Sequence, residues 1–441
     1  MPNRTLRVAL TGLAVGVFAA AHADVTVPAY QSGSQWFTDG QSSIQDKSSM
    51  AREDVTAKNV ILFVGDGMGI STLTAARILE GQLAGDEGEE NYLSFESFPY
   101  SALIKTYNTN QQTPDSAGTM TAMMSGVKNK AGMINISSDG VRGDCGSTAG
   151  NELNTFLDLM EDAGRSTGVV STARITHATP AATYARVPER NWESDDSLPE
   201  EARQNGCKDI ADQLASYDVG DGIDVVLGGG RRHFLPEADG GKRQDGRDLI
   251  QLWQERYQDS EQTALYVESG SELATADLAS TDKLMGLFTS SHMSYDADRK
   301  ANAKDEPSVA DMTEAAIDVL SRNQDGYFLM VESGRIDHAH HAGNAYNALH
   351  DTLAFADAVQ AAVDKVDLDE TLILVTADHS HVFTIAGYPT KGNPILGKVI
   401  TNDGSGAPEA GPTEAADSMP YTTLGYTNGL GYADLGAETN A

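Results

Sequence analysis

Short, almost wholly apolar runs recur along the chain: Asn59 to Val64 (NVILFV), Thr167 to Ser171 (TGVVS), Ile223 to Leu227 (IDVVL), Tyr327 to Val331 (YFLMV) and Thr371 to Thr376 (TLILVT). Runs without polar alternation belong to strands covered on both faces. Between them, Leu73 to Leu83, Leu153 to Ala163, Cys207 to Leu214, Met312 to Leu320 and Ala345 to Val366 read as helices. Such alternation predicts an α/β fold, a doubly wound, mostly parallel central sheet with helices on both faces. Residues 384–424 are rich in Gly, Pro, Thr and Ala with little periodicity, and are expected to form an inserted, crown-like loop region. No internal repeat is visible.

Three of the runs stop on an acid: Asp66 after NVILFV, Glu332 after YFLMV and Asp378 after TLILVT. One acid at a strand end is usually a turn former. Three at equivalent ends of one sheet, two of them followed closely by histidines, point to metal, because open α/β sheets bind ligands at the carboxyl ends of their strands. Asp337 and His341 are four residues apart, so on a helical turn they share a face and can reach one ion. A hard oxygen donor at Glu332 beside a mixed Asp/His pair predicts two kinds of metal, Mg²⁺ and Zn²⁺.

Gln112 to Gly126 reads as a turn feeding a helix, with Thr113 or Asp115 as its cap. Ser116, in the first turn, faces unpaired N–H groups and the positive end of the helix dipole. That setting favours an alkoxide or a bound phosphate, although an ordinary capping serine would look the same. Pro114 to Gly118 lacks the leading glycine of a hydrolase elbow, and Ile70 stands where a dinucleotide fingerprint needs its third glycine.

Residues 1–23 read as a secretory signal, with Arg4 and Arg7, an apolar run from Val8 to Ala20, and Ala21-His22-Ala23 as a small-residue cleavage site. Residues 24–57 are expected to form a polar N-terminal arm with Trp36 and Phe37 as lone anchors, and residues 58–441 a single domain. No segment is long enough to span a bilayer, so an exported, periplasmic or secreted protein is expected. Removing Arg4 and Arg7, with no acid, takes the formal charge from −33 to −35. So acidic a surface repels nucleic acid and anionic membranes, and typifies proteins kept soluble in salt. Cys145 and Cys207 are the two cysteines of an exported chain. A single disulfide is the default, with two free buried thiols the alternative.

Six motifs in register carry a resemblance. Val64 to Gly69, Asp115 to Thr119, His177 to Pro180, Arg190 to Trp192, Glu332 to His341 and Thr376 to His381 resemble alkaline phosphatase, in order, from about Asn59 to about Tyr432. The resemblance implies hydrolysis of small phosphate monoesters with Ser116 as the nucleophile that becomes phosphoserine and Arg190 as the clamp on phosphate oxygens. Two Zn²⁺ and one Mg²⁺ are implied with it. Asp66 matches the carboxylate bridging Mg²⁺ and one zinc, and Asp378 and His379 the other ligands of that zinc. Asp337 and His341 match ligands of the second zinc, and Thr179 and Glu332 those of Mg²⁺. His177 and His338 match outer positions around the metals, and His381 lies near them. A homodimer is implied, and the cysteines match a disulfide of animal-type members.

The family's second zinc takes a further histidine near the C-terminus, and no histidine follows His381 here. The end, Glu438 to Ala441, follows Tyr421 to Tyr432 too closely to be that segment, so a C-terminally incomplete sequence is expected. Thr289 stands where animal members carry an acid for a calcium site, so no calcium is expected. Rival readings are a diesterase or sulfatase of the same superfamily, and a metal-depleted remnant that binds phosphate.

Overall fold

The computed structural model describes residues 56–427 and scattered positions between 34 and 45. The expected signal, Trp36, Phe37 and the tail from residue 428 lie outside the described residues. Two compact units divide the chain, Met1–Asp54 and Val55–Ala441. In the first, Gln35 and Asp39 are helical, and Gln35 Nε2 donates to Asp39 Oδ1 at 2.6 Å.

The second unit is built on seven strands: β1 (Asn59–Gly65), β2 (Ser166–Arg174), β3 (Val225–Gly229), β4 (Ala264–Val267), β5 (Lys283–Leu287), β6 (Tyr327–Ser333) and β7 (Thr371–Ala377). Their order is β4-β5-β3-β2-β6-β1-β7, and every pairing is parallel. A doubly wound α/β sheet is what the apolar runs predict. β4 and β5 are additions to the sequence reading. One expectation is corrected: β7 is not covered on both faces. It is an edge strand paired only with β1, and Leu372 and Leu374 are 45% and 44% exposed.

Alternation along the strands splits the core into two layers. Ile61 and Phe63 of β1, with Tyr327, Leu329 and Val331 of β6, face one layer; Val64, Phe328 and Met330 face the other. Among the helices that cover the sheet or carry residues at its carboxyl end are α1 (Ile70–Ala84), α2 (Ser116–Ser125), α3 (Ala178–Tyr184), α4 (Val309–Leu320), α5 (Arg335–His341) and α6 (Ala345–Lys365). Phe63 meets Phe355 of α6 edge-on at 5.8 Å between ring centroids. Both rings are fully buried. Truncating one would cost about 3–5 kcal/mol.

Residues 386–423 contain isolated bridges but no helix or strand. They hang between β8 (Phe383–Ile385) and β9 (Leu424–Tyr426), which pair antiparallel. Cys145 and Cys207 form a disulfide, their Cα atoms 6.1 Å apart.

Candidate active site

The strand order sets β6, β1 and β7 side by side, with Val64 opposite Glu332 and Gly65 opposite Ala377. The residues at these strand ends, Glu332, Asp66 and Asp378, therefore converge, and all three are 0% exposed. Gly67 follows Asp66 with φ +66°, and its N–H donates to Asp378 Oδ1 at 3.0 Å. A Cβ there would lie 3.0 Å from Asp337 Oδ1, so the turn needs glycine both for its backbone angle and for room.

Asp115 is the N-cap of α2, accepting from Gly118 N at 3.1 Å, which decides between the two expected caps. Ser116 follows at the helix N-terminus, 4% exposed. Its Oγ lies 3.4 and 3.5 Å from the Asp66 oxygens and 3.3 Å from His379 Nε2. His379 Nδ1 donates to the Ser380 carbonyl at 3.0 Å, so in the neutral ring Nε2 keeps its lone pair facing Asp66 and Asp378.

Asp337 and His341 sit at either end of one turn of α5, with Asp337 Oδ2 and His341 Nε2 3.4 Å apart. His381 Nε2 stands 3.7 Å from the other oxygen of Asp337. That is too long for a hydrogen bond and suits two ligands of one ion. Three residue groups have ligand atoms within 4.8 Å of one another: Asp337, His341 and His381; Asp66, His177 and Glu332; Asp66, Asp337 and His379. Asp66 and Asp337 are shared between groups, so the candidate ion positions are contiguous. Thr179, at the start of α3, is fully buried against Glu332.

The electrostatics of this cluster fit cations. Burial, compounded by Asp378, Asp337 and Glu332, pushes the Asp66 carboxyl well above the usual carboxylate range. Glu332 is pushed up to about 7, by burial above all and against the Ser171 hydroxyl that donates to it. Burial likewise raises Asp337. Carboxylates so crowded hold protons unless positive charge sits among them. The buried Thr179 Oγ1, Glu332 Oε1, Asp337 Oδ1 and Asp378 Oδ2 have no hydrogen-bond partner, which leaves oxygen donors open for hard ions and, with the imidazoles, for zinc.

Arg190 Nη1 donates to Asp115 Oδ2 at 3.1 Å, and its Nη2 lies 3.3 Å from His177 Nε2. The rings of His177 and His338 stand with centroids 5.4 Å apart. Between them and Arg174 lies His292, which the sequence reading missed. Its ring is 4.1 Å from that of His338, and its Nδ1 accepts from Arg174 N at 3.2 Å. Burial first, then the neighbouring His338 and Arg174, hold His292 far below its ordinary value. The loop carrying it follows β5, a strand that was itself not recognised, so nothing in the sequence pointed to it. His340 was also unassigned. It ties α5 to α1 through Thr72 Oγ1 (2.9 Å) and to β9 through the Tyr426 hydroxyl (2.9 Å).

A model of the alkaline phosphatase family matches residues 57–441. The chain is 45% identical over 392 residues to the tissue-nonspecific alkaline phosphatase isozyme of Felis catus, covering 86% of this chain and 72% of the relative. The Homo sapiens isozyme is 45% identical over 396 residues, covering 87% and 72%. Among solved structures, Thermus thermophilus alkaline phosphatase superposes with a TM-score of 0.63 at 28% identity, covering 77% of this chain and 63% of that one. The enzyme from the Antarctic bacterium TAB5 superposes with a TM-score of 0.58 at 25% identity, covering 76% and 83%.

Proposed function

The chain belongs to the alkaline phosphatase family of phosphoric monoester hydrolases, and we propose that it passes the phosphoryl group of a small monoester first to Ser116 and then to water. The observation that carries this reading is the position of Ser116 Oγ, within 3.5 Å of both Asp66 and His379 at the start of a ten-residue helix. The Ser116 oxygen attacks phosphorus in line as the ester P–O bond breaks, and the hydroxyl proton ends on the departing alcohol. Water then cleaves phosphoserine, releasing phosphate and restoring the hydroxyl. Arg190, its fork anchored by Asp115, holds two phosphate oxygens.

The family is metal-dependent, and we propose two zinc ions and one magnesium. Asp66, Asp378 and His379 would hold the zinc beside Ser116, and Asp337 and His341, with His381 beside them, the second. Asp66, Thr179 and Glu332 would hold magnesium, with His177 and His338 outside it. When bound, these ions lower the pKa of the attacking hydroxyl and offset charge on the phosphoryl oxygens.

Ser116→Ala should abolish the acid-trapped phosphoenzyme and turnover while zinc and magnesium contents stay near wild type. A variant that still traps labelled phosphate would sink the reading. Export is proposed from residues 1–23 and from the Cys145–Cys207 disulfide, and cell fractionation tests it. A homodimer is proposed on family resemblance. The exposed Tyr100, Leu103 and Ile104 give a second copy an apolar surface to cover, and light scattering reporting a monomer would rule it out.

A further inference from the structure

Asn108 belongs to no motif, yet it is only 3% exposed in the loop ahead of Ser116. Its carboxamide meets Asp115 twice. The Asp115 N–H donates to Asn108 Oδ1 at 3.1 Å, and Asn108 Nδ2 donates to Asp115 Oδ1 at 3.0 Å. The carboxylate is then filled. Oδ1 also accepts Gly118 N–H at 3.1 Å, while Oδ2 accepts Gly132 N–H at 2.8 Å and Arg190 Nη1 at 3.1 Å. The Arg190 N–H donates to the Gly132 carbonyl at 2.8 Å, so backbone and guanidinium of Arg190 hang from one frame.

Asn108 is itself held. Its N–H donates to the Gln111 carbonyl at 3.1 Å and its carbonyl accepts Gln111 N–H at 3.3 Å, a tight turn that presents the side chain inward. The fit against α2 is close: a Cβ on Gly118 would fall 1.8 Å from Asn108 Nδ2. Glycine in the first turn is what lets the amide pass.

We infer that Asn108 is a positioning residue for phosphate binding. It touches no substrate. It locks the Asp115 carboxylate in the rotamer that keeps the Arg190 guanidinium turned toward the strand-end acids. The site needs a planar group with one donor and one acceptor at this reach. Aspartate keeps the shape but loses the donor and sets a like charge against Asp115, while alanine loses both bonds. The inference rests on the phosphate-clamp reading of Arg190. Its rival is a purely local brace for the start of α2, which would act whether or not Arg190 is present.

A double-mutant cycle on the metal-loaded full chain separates these. The inhibition constant of inorganic phosphate and the kcat/KM for an aryl phosphate would be measured in wild type, Asn108→Ala, Asn108→Asp, Arg190→Ala and the double variants. Asn108→Asp, being isosteric, guards against misfolding. Either Asn108 change should weaken phosphate inhibition about tenfold in the presence of Arg190 and less than about twofold in its absence, with metal content unchanged. Equal losses with and without Arg190 would assign Asn108 to the helix start and overturn the inference. So would unchanged phosphate inhibition in both Asn108 variants alongside a weakened Arg190→Ala enzyme. If Arg190→Ala itself leaves phosphate inhibition intact, the clamp reading falls and takes the inference with it.

Discussion

Gly67 shows how much a single position constrains this site. It is held at φ +66°, and the nearest atom to a Cβ there would be an oxygen of Asp337 at 3.0 Å. Gly67→Ala should therefore cost about 1 kcal/mol in backbone strain and also push the Asp337 carboxylate off its position. We expect zinc retention against a chelator to fall several-fold while the circular-dichroism spectrum is kept; unaltered retention would mean that Asp337 does not share a crowded ion position. At this scale the candidate site was largely legible. Asp66, Glu332 and Asp378 announced themselves as acids at strand ends, and Asp337 and His341 by helical spacing. The Asp115 carboxylate as the anchor of Arg190 was not, because 75 residues separate the pair and Asp115 also reads as an ordinary cap. His292 was invisible for a similar reason: a histidine in a polar loop carries no spacing signal until the fold sets it 4.1 Å from His338.

Elements were legible in proportion to their apolar continuity. β4 is four residues long, and β5 reads KLMGL, broken by a charge and a glycine. Lys283 is nonetheless fully buried, its ammonium held by Asp224 Oδ1 at 3.0 Å and Asp221 Oδ1 at 3.1 Å. Only the assembled sheet brings those partners to it, so the sequence pattern misleads. β7 errs the other way, since an apolar run cannot say whether a neighbour lies beyond it. Within α6, Asp351 is 2% exposed, and burial above all pushes its carboxyl up to about 8, against the Asp296 N–H that donates to it. Unfolded, it ionises near its ordinary value. Between that value and about 8 the folded state holds the extra proton, so stability from this group falls as pH rises. Asp351→Asn keeps the shape and cannot ionise. Its melting temperature relative to wild type should climb between about pH 5 and pH 8. A difference that stays flat over that range would show that Asp351 is not buried as an acid.

At the scale of the whole molecule, covalent and ionic terms act on the fold together. The disulfide closes a loop of 62 residues, which in the chain-entropy model is worth about 4 kcal/mol. Replacing Cys145 and Cys207 with alanine should lower the denaturation midpoint clearly, and an unchanged midpoint would mean that the loop is constrained by other contacts. Chelation should destabilise the protein more at alkaline than at acid pH. The emptied site forces Asp66, Glu332 and Asp337, each with a raised pKa, to repel or to take up protons. Equal losses at both pH values would count against carboxylate repulsion as the cause. With a formal charge of −33, unfolding should also become harder as salt rises to about molar concentration, and indifference to salt would contradict that. By itself the sequence determined the α/β class, the acids at three strand ends and a serine in the first turn of a helix, because strand burial, helix capping and residue type are written in neighbouring residues. The tertiary structure alone decided which strands adjoin, which acids and imidazoles stand within reach of one another, and that Asp115 meets both Arg190 and Asn108. Those depend on pairings between residues tens to hundreds of positions apart, and local spacing carries no record of them.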